Sequence, residues 1–137
     1  MTRHFILILI VLSTAVTPMS CGRDPAVKQL KSERSLFVFV RIPEPLMPLD
    51  RGRKYEDPLD LALKAAKLGE VTGGGSQLGA TRADGTRGIE WVGIDVEVQD
   101  LERGIPFVKA ELLRLGAPAT TVLEFSRAGT KVEEVIK

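Results

Sequence analysis

Alternation of apolar and polar positions is sharpest in Ile89–Val98, IEWVGIDVEV. There Val92, Ile94, Val96 and Val98 share one face, and Trp91, Gly93, Asp95 and Glu97 share the other. Successive side chains of a strand point to opposite faces, so this period of two predicts a half-buried strand. A second strand is predicted over Leu36–Ile42, LFVFVRI, rich in β-branched and aromatic residues and apolar on both faces, as a central strand would be. Pro43, Pro45 and Pro48 each lack a backbone donor and are expected to end it. A loop is expected over 43–56, with a turn at Asp50-Arg51-Gly52.

Helical periodicity takes over at Asp57-Pro58, an N-cap residue followed by a proline suited to the first helical position. Leu59, Ala62, Leu63 and Ala66 recur at i, i+3, i+4 and i+7, which predicts a buried stripe on a helix over 58–68, with Gly69 as its stop. Residues 70–78, EVTGGGSQL, read as a glycine-softened strand, followed by a polar hairpin loop over 79–88 turning at Asp84-Gly85. After the Ile89–Val98 strand, Asp100 is expected to cap a second helix over 101–115, striped by Leu101, Ile105, Val108, Leu112 and Leu115, and stopped by Gly116. TTVLEF at 120–125 predicts a further strand; 126–129 reads as a turn and 130–137 as a frayed tail or a short edge strand.

The order strand–helix–strand, strand–helix–strand is that of the ferredoxin-like split βαβ arrangement. The predicted fold class is therefore α+β: a sandwich with a four-stranded antiparallel sheet and two helices on one face. Right-handed crossovers put the first and third strands at the centre. With helices covering Val38, Val40, Val92, Ile94 and Val96, the open face would show Phe37, Phe39, Arg41, Trp91, Gly93 and Asp95.

The 137 residues suffice for one domain, expected over 36–137. Residues 1–20, MTRHFILILIVLSTAVTPMS, run from a basic start through the apolar stretch 5–12 to small and polar residues, the order of an export signal peptide. The apolar run is shorter than the ~20 residues that span a bilayer comfortably. Cys21 directly after the small Ser20 resembles the leader of bacterial lipoproteins, although Pro18 stands where that pattern usually has Leu. The resemblance implies lipidation of Cys21, a tether over 21–35, and a membrane-anchored place in the cell envelope; plain secretion to the periplasm or beyond, an uncleaved anchor, and a cytosolic protein with a misread start are the other expectations. The leader and element order together resemble small exported bacterial domains of unassigned function.

Charge and chemistry narrow the function. Loss of Arg3 with the leader takes the 19 basic residues to 18, equal to the 18 acidic ones, which argues against a nucleic-acid partner. One His and one Cys in the whole chain leave no His/Cys metal site, no cofactor is expected, and no nucleophile–histidine pair survives in the mature chain. Asp95 and Glu97 would lie about 7 Å apart on one strand face, a spacing at which two carboxylates can work together, though acids on exposed strands are more often solvated or paired with a cation such as Arg41. Gly73-Gly74-Gly75 lacks the Lys and Ser/Thr of a phosphate loop. It suits close backbone approach or addition of a partner's strand. The leading expectation is a non-catalytic binding module that recognises a protein or peptide, or a second copy of the chain, through Phe39, Arg41, Trp91 and Asp95 or through the edge at Gly73, Gly74 and Gly75. A small-ligand sensor and a carboxylate-based hydrolase of an envelope substrate are the alternatives.

Overall fold

The computed structural model of the chain describes residues 35–137. The leader, Cys21 and the tether up to residue 34 lie outside the described residues. The fold is α+β, with a five-stranded antiparallel sheet and two helical segments. The strands are β1 (Leu36–Ile42), β2 (Gly69–Leu78), β3 (Ile89–Val98), β4 (Val122–Arg127) and β5 (Thr130–Val135), in the spatial order β2-β3-β1-β4-β5. The two strands read as most apolar, β1 and β3, are central, with Val40 opposite Ile94 and Phe39 opposite Asp95.

The fifth strand corrects the expected count of four. Ala128 and Gly129 both hold positive φ, 51° and 80°, between the paired residues Arg127 and Thr130. Two such residues make the tight turn whose twist matches a hairpin, and that turn folds the tail back as an edge strand. Ile136 closes it: its amide donates to the Thr121 carbonyl at 3.0 Å and its side chain is fully buried.

The region 43–56 departs further from expectation. Pro48 opens a helix instead of ending a strand: α1 (Pro48–Arg51) passes into a π-helical turn (Gly52–Glu56) and then into α2 (Asp57–Ala66). Proline is well suited to a first helical turn, and Asp57-Pro58 is absorbed in mid-run rather than acting as a start. The wide turn has a tertiary cause. Its i→i+5 bonding, seen in the Asp57 amide donating to the Gly52 carbonyl, brings residues five apart over one another. Arg51 Nε thus reaches Glu56 Oε1 at 2.6 Å, while Arg51 Nη1 donates to Ser76 Oγ on β2 at 3.0 Å. Tyr55 in the same turn is fully buried, with its hydroxyl donating to Glu44 at 3.0 Å. Burial pushes the Tyr55 phenol above its usual range.

The chain leaves α2 through Lys67 in the left-handed region (φ 55°), with the Leu68 amide reaching back to the Leu63 carbonyl at 3.0 Å. Gly69, expected as the stop, has another reason: a Cβ there would sit 2.0 Å from the Glu97 carbonyl oxygen of β3. The second long helix, α3 (Leu101–Arg114), begins as expected, Asp100 accepting the Glu102 amide at 2.8 Å.

Both helical segments bury their stripes against one side of the sheet. Leu59, Leu63, Ile105, Val108 and Leu112 join Val38, Val40, Val92, Ile94 and Val96 in a single core cluster. Gly104 lets α3 approach β3 closely, since a Cβ would come 2.8 Å from the Cβ of Val98. Among the described residues one buried side-chain polar atom is unpartnered, Thr121 Oγ1.

Candidate binding face

The side of the sheet away from the helices is built by the other half of the alternation. The central register sets Phe39 opposite Asp95 and Arg41 opposite Gly93. The Phe39 ring lies directly over Gly93, where an added Cβ would meet the ring at 2.6 Å. Trp91 closes against it edge to face, with centroids 6.0 Å apart and planes at 77°. Such pairs contribute about 0.5–1.5 kcal/mol beyond area burial. The absent side chain at residue 93 therefore seats an aromatic pair in the middle of the open face.

Phe37, two residues along β1, is 55% exposed. With Phe39 it walls an open groove of about 510 Å³ whose polar side is Glu124, Ser126 and Lys131. A smaller recess of about 170 Å³ lies at Trp91, between Arg41, Pro43 and Val122. Charges alternate across β1, β4 and β5. Arg41 reaches Glu124 at 3.6 Å, and Lys131 reaches Glu124 at 2.8 Å and Glu133 at 2.9 Å. Hydrogen bonds to Glu124 and then Glu133 hold the Lys131 ammonium above its usual range, and Lys131 in turn lowers Glu133.

The expected site residues divide. Phe39, Trp91 and Arg41 share the open face, and Asp95 stands beside Phe39, half-buried. Arg41 pairs with Glu124, so it is not the partner of Asp95. The glycine triplet lies on edge strand β2. Gly73 faces Asp95, whose Oδ2 would lie 3.3 Å from an added Cβ. Gly74 belongs to the helix side, where a Cβ would come 2.0 Å from Glu56 Oε1; its role is to admit the Arg51–Glu56 pair. Gly75 has open space around it. Ser126 and Lys131 were not singled out, because 130–137 reads either as a frayed tail or as a short edge strand, and it is the pairing with β4 across the Ala128-Gly129 turn that brings them beside Glu124. The signal that could have found it is the weak alternation Lys131, Glu133, Val135 on one side of TKVEEV.

Chemically, the face offers rings held in place beside paired charges. Among the described residues no group of three or more His, Cys, Asp or Glu is placed to hold a metal ion, and no helix is long and apolar enough to cross a membrane. Comparison with family models, curated proteins and solved structures finds no match to this chain.

Proposed function

We propose that this protein is a non-catalytic binding module, held at the cell envelope by lipidated Cys21, which recognises an extended protein or peptide on its open sheet face. The observation that carries the reading is the exposed Phe37 beside the fixed Phe39–Trp91 pair, bordering a groove with Glu124 and Lys131 on its rim. Aromatic side chains held rigid lose little entropy on binding, and a rim of paired charges supplies orientation more than affinity. Strand–helix–strand halves of ferredoxin-like order present such a face whole, because both helices lie on the other side. Asp95 stands beside the pair and would contribute a hydrogen-bond acceptor to a bound chain.

The test is selection of binding peptides against the full chain from a random library, followed by titration on variants. Phe37→Ser and Trp91→Ala should each weaken the selected peptides at least about tenfold with circular dichroism unchanged. Peptides that bind both variants as tightly as the parent would sink the reading. For the anchor, mass spectrometry of the mature N-terminus should find a lipid-modified Cys21; an unmodified chain beginning at Met1 would remove the envelope half of the proposal.

A further inference from the structure

The open face is unbalanced in charge, although the whole chain carries a net charge of only +1. Directly opposed residues of an antiparallel pair share a face, so the register sorts the strand residues by side. Glu70, Asp95, Glu97, Glu124 and Glu133 fall on the open side, against Arg41 and Lys131. The two flanks of Phe37 and Phe39 then differ. On one flank Glu124 and Glu133 stand directly opposite each other, and Lys131 joins them at 2.8 and 2.9 Å. On the other flank Glu97 stands directly opposite Glu70 on β2 and opposite Phe37 on β1. Like charges so opposed repel. Among the described residues no cation joins this second pair. Glu97 is in no ion pair, and Glu70 has only Lys64 at 3.8 Å, which sits closer to Asp60 at 2.8 Å.

Elsewhere in this protein a ring beside a carboxylate carries a cation. Lys54 lies over the Tyr55 ring at 4.8 Å and reaches Glu44 at 2.9 Å. Arg127 lies over the Phe125 ring at 5.4 Å and reaches Glu102 at 3.3 Å. Both the electron-rich face of a ring and a carboxylate attract a cation, and the two attractions act together. Phe37, more than half exposed beside Glu97, has the ring and the carboxylates without the cation. Asp95 and Glu97 lie two residues apart on β3, about 7 Å, which is also the spacing of alternate side chains in an extended chain.

We infer that the chain bound on the open face is basic, and that one of its Lys or Arg side chains lies along Phe37 with its charge between Glu97 and Glu70. That is the position Lys131 holds on the opposite flank. The next side chain on the same side of the bound strand brings a second cation to Asp95. The inference rests on the peptide-binding reading and narrows its partner to an extended segment with alternating basic residues.

The test titrates the full chain, in mild detergent, with decapeptides of alternating Thr-Arg, Thr-Gln and Thr-Glu, followed by calorimetry. At low salt the Thr-Arg peptide should bind at least about tenfold tighter than Thr-Gln, and Thr-Glu should bind weakest. Glu97→Gln and Glu70→Gln should each weaken Thr-Arg at least about threefold, with Thr-Gln binding and circular dichroism unchanged. Glu97→Lys together with Glu70→Lys should turn the preference toward Thr-Glu. Thr-Arg that binds no tighter than Thr-Gln, or as tightly to both Gln variants as to the parent, would overturn the inference. Glu97-dependent binding of calcium with no preference among the peptides would assign the pair to a metal ion and overturn it as well. Peptides selected from the random library that need Phe37 but carry no excess of Lys or Arg would overturn it while leaving the peptide-binding reading intact.

Discussion

On the helix-covered side of the sheet, Val38, Val40, Val92, Ile94 and Val96 are fully buried. On the other side of the same strands Phe37 is more than half exposed, and Phe39, Trp91 and Asp95 are intermediate. The covered side is made of β-branched aliphatics that fill space against Leu59, Leu63, Val108 and Leu112. The open side is made of rings, a glycine and charges that fix one another laterally. Its order comes from neighbours in the plane of the sheet: Phe39 on Gly93, Trp91 on Phe39, and Glu124 between Arg41 and Lys131. One face therefore carries stability, and the other is held in shape without being consumed by packing. That difference is what a preformed recognition surface requires.

The sharpest way to break this contrast is on the covered side. Ile94→Ala deletes fully buried methyl groups between the helices and should lower unfolding free energy by about 2–5 kcal/mol in chemical denaturation. On the open side a methyl group tests lateral order. Gly93→Ala drives a Cβ into the Phe39 ring and should cost about 1–3 kcal/mol and change Trp91 fluorescence. Gly75→Ala, in open space, should be neutral or stabilising by about 0.4–1 kcal/mol. Equal effects from the two glycines would deny Gly93 its role as the seat of the pair. Thr121→Val removes the unpartnered buried hydroxyl and should raise stability by about 1 kcal/mol, read as an increase in Tm. Phe37→Ser, at the exposed end of the face, should move stability by less than about 0.5 kcal/mol while weakening any peptide partner.

Acid sharpens the comparison from the covered side's margin, where Asp60 joins α2 to β2. Hydrogen bonding to Lys64 first, and to the Val71 amide as well, holds the Asp60 carboxyl below its usual range against the opposing effect of burial. A group with a depressed folded pKa stabilises at pH above its unfolded value, near 4, and loses that contribution as pH falls through the folded value. Stability should therefore fall as pH drops below about 4. Asp60→Asn should flatten that part of the profile while lowering stability at neutral pH, both measurable by urea titration at a series of pH values.

Much of the sheet was legible in the chain. Alternation placed β1 and β3, and their apolar character placed them at the centre, because a central strand has no solvent edge and must satisfy both neighbours. Asp100 and Gly116 marked the bounds of α3 through local capping chemistry, which needs no partner from elsewhere in the chain. The helical run over 48–56 was not legible. Three prolines and PLDRGRKYED argue for a loop, and helix forms there because Tyr55 is buried and Arg51 finds Ser76, 25 residues away. The same distance effect hid the meaning of Gly74, whose missing side chain makes room for Glu56.

The amino-acid order by itself determined which residues share a face, because the two-residue repeat of a strand and the 3.6-residue repeat of a helix are local properties of the backbone. It determined equally that rings and charges would stand opposite the aliphatic row. Only the tertiary structure decided that a fifth strand completes the groove beside Phe37, that Phe39 rests on Gly93, and that the three adjacent glycines serve three different surroundings. Those outcomes depend on which segments meet across many intervening residues, and contact at that range is settled by the packing of the whole chain, not by any stretch within it.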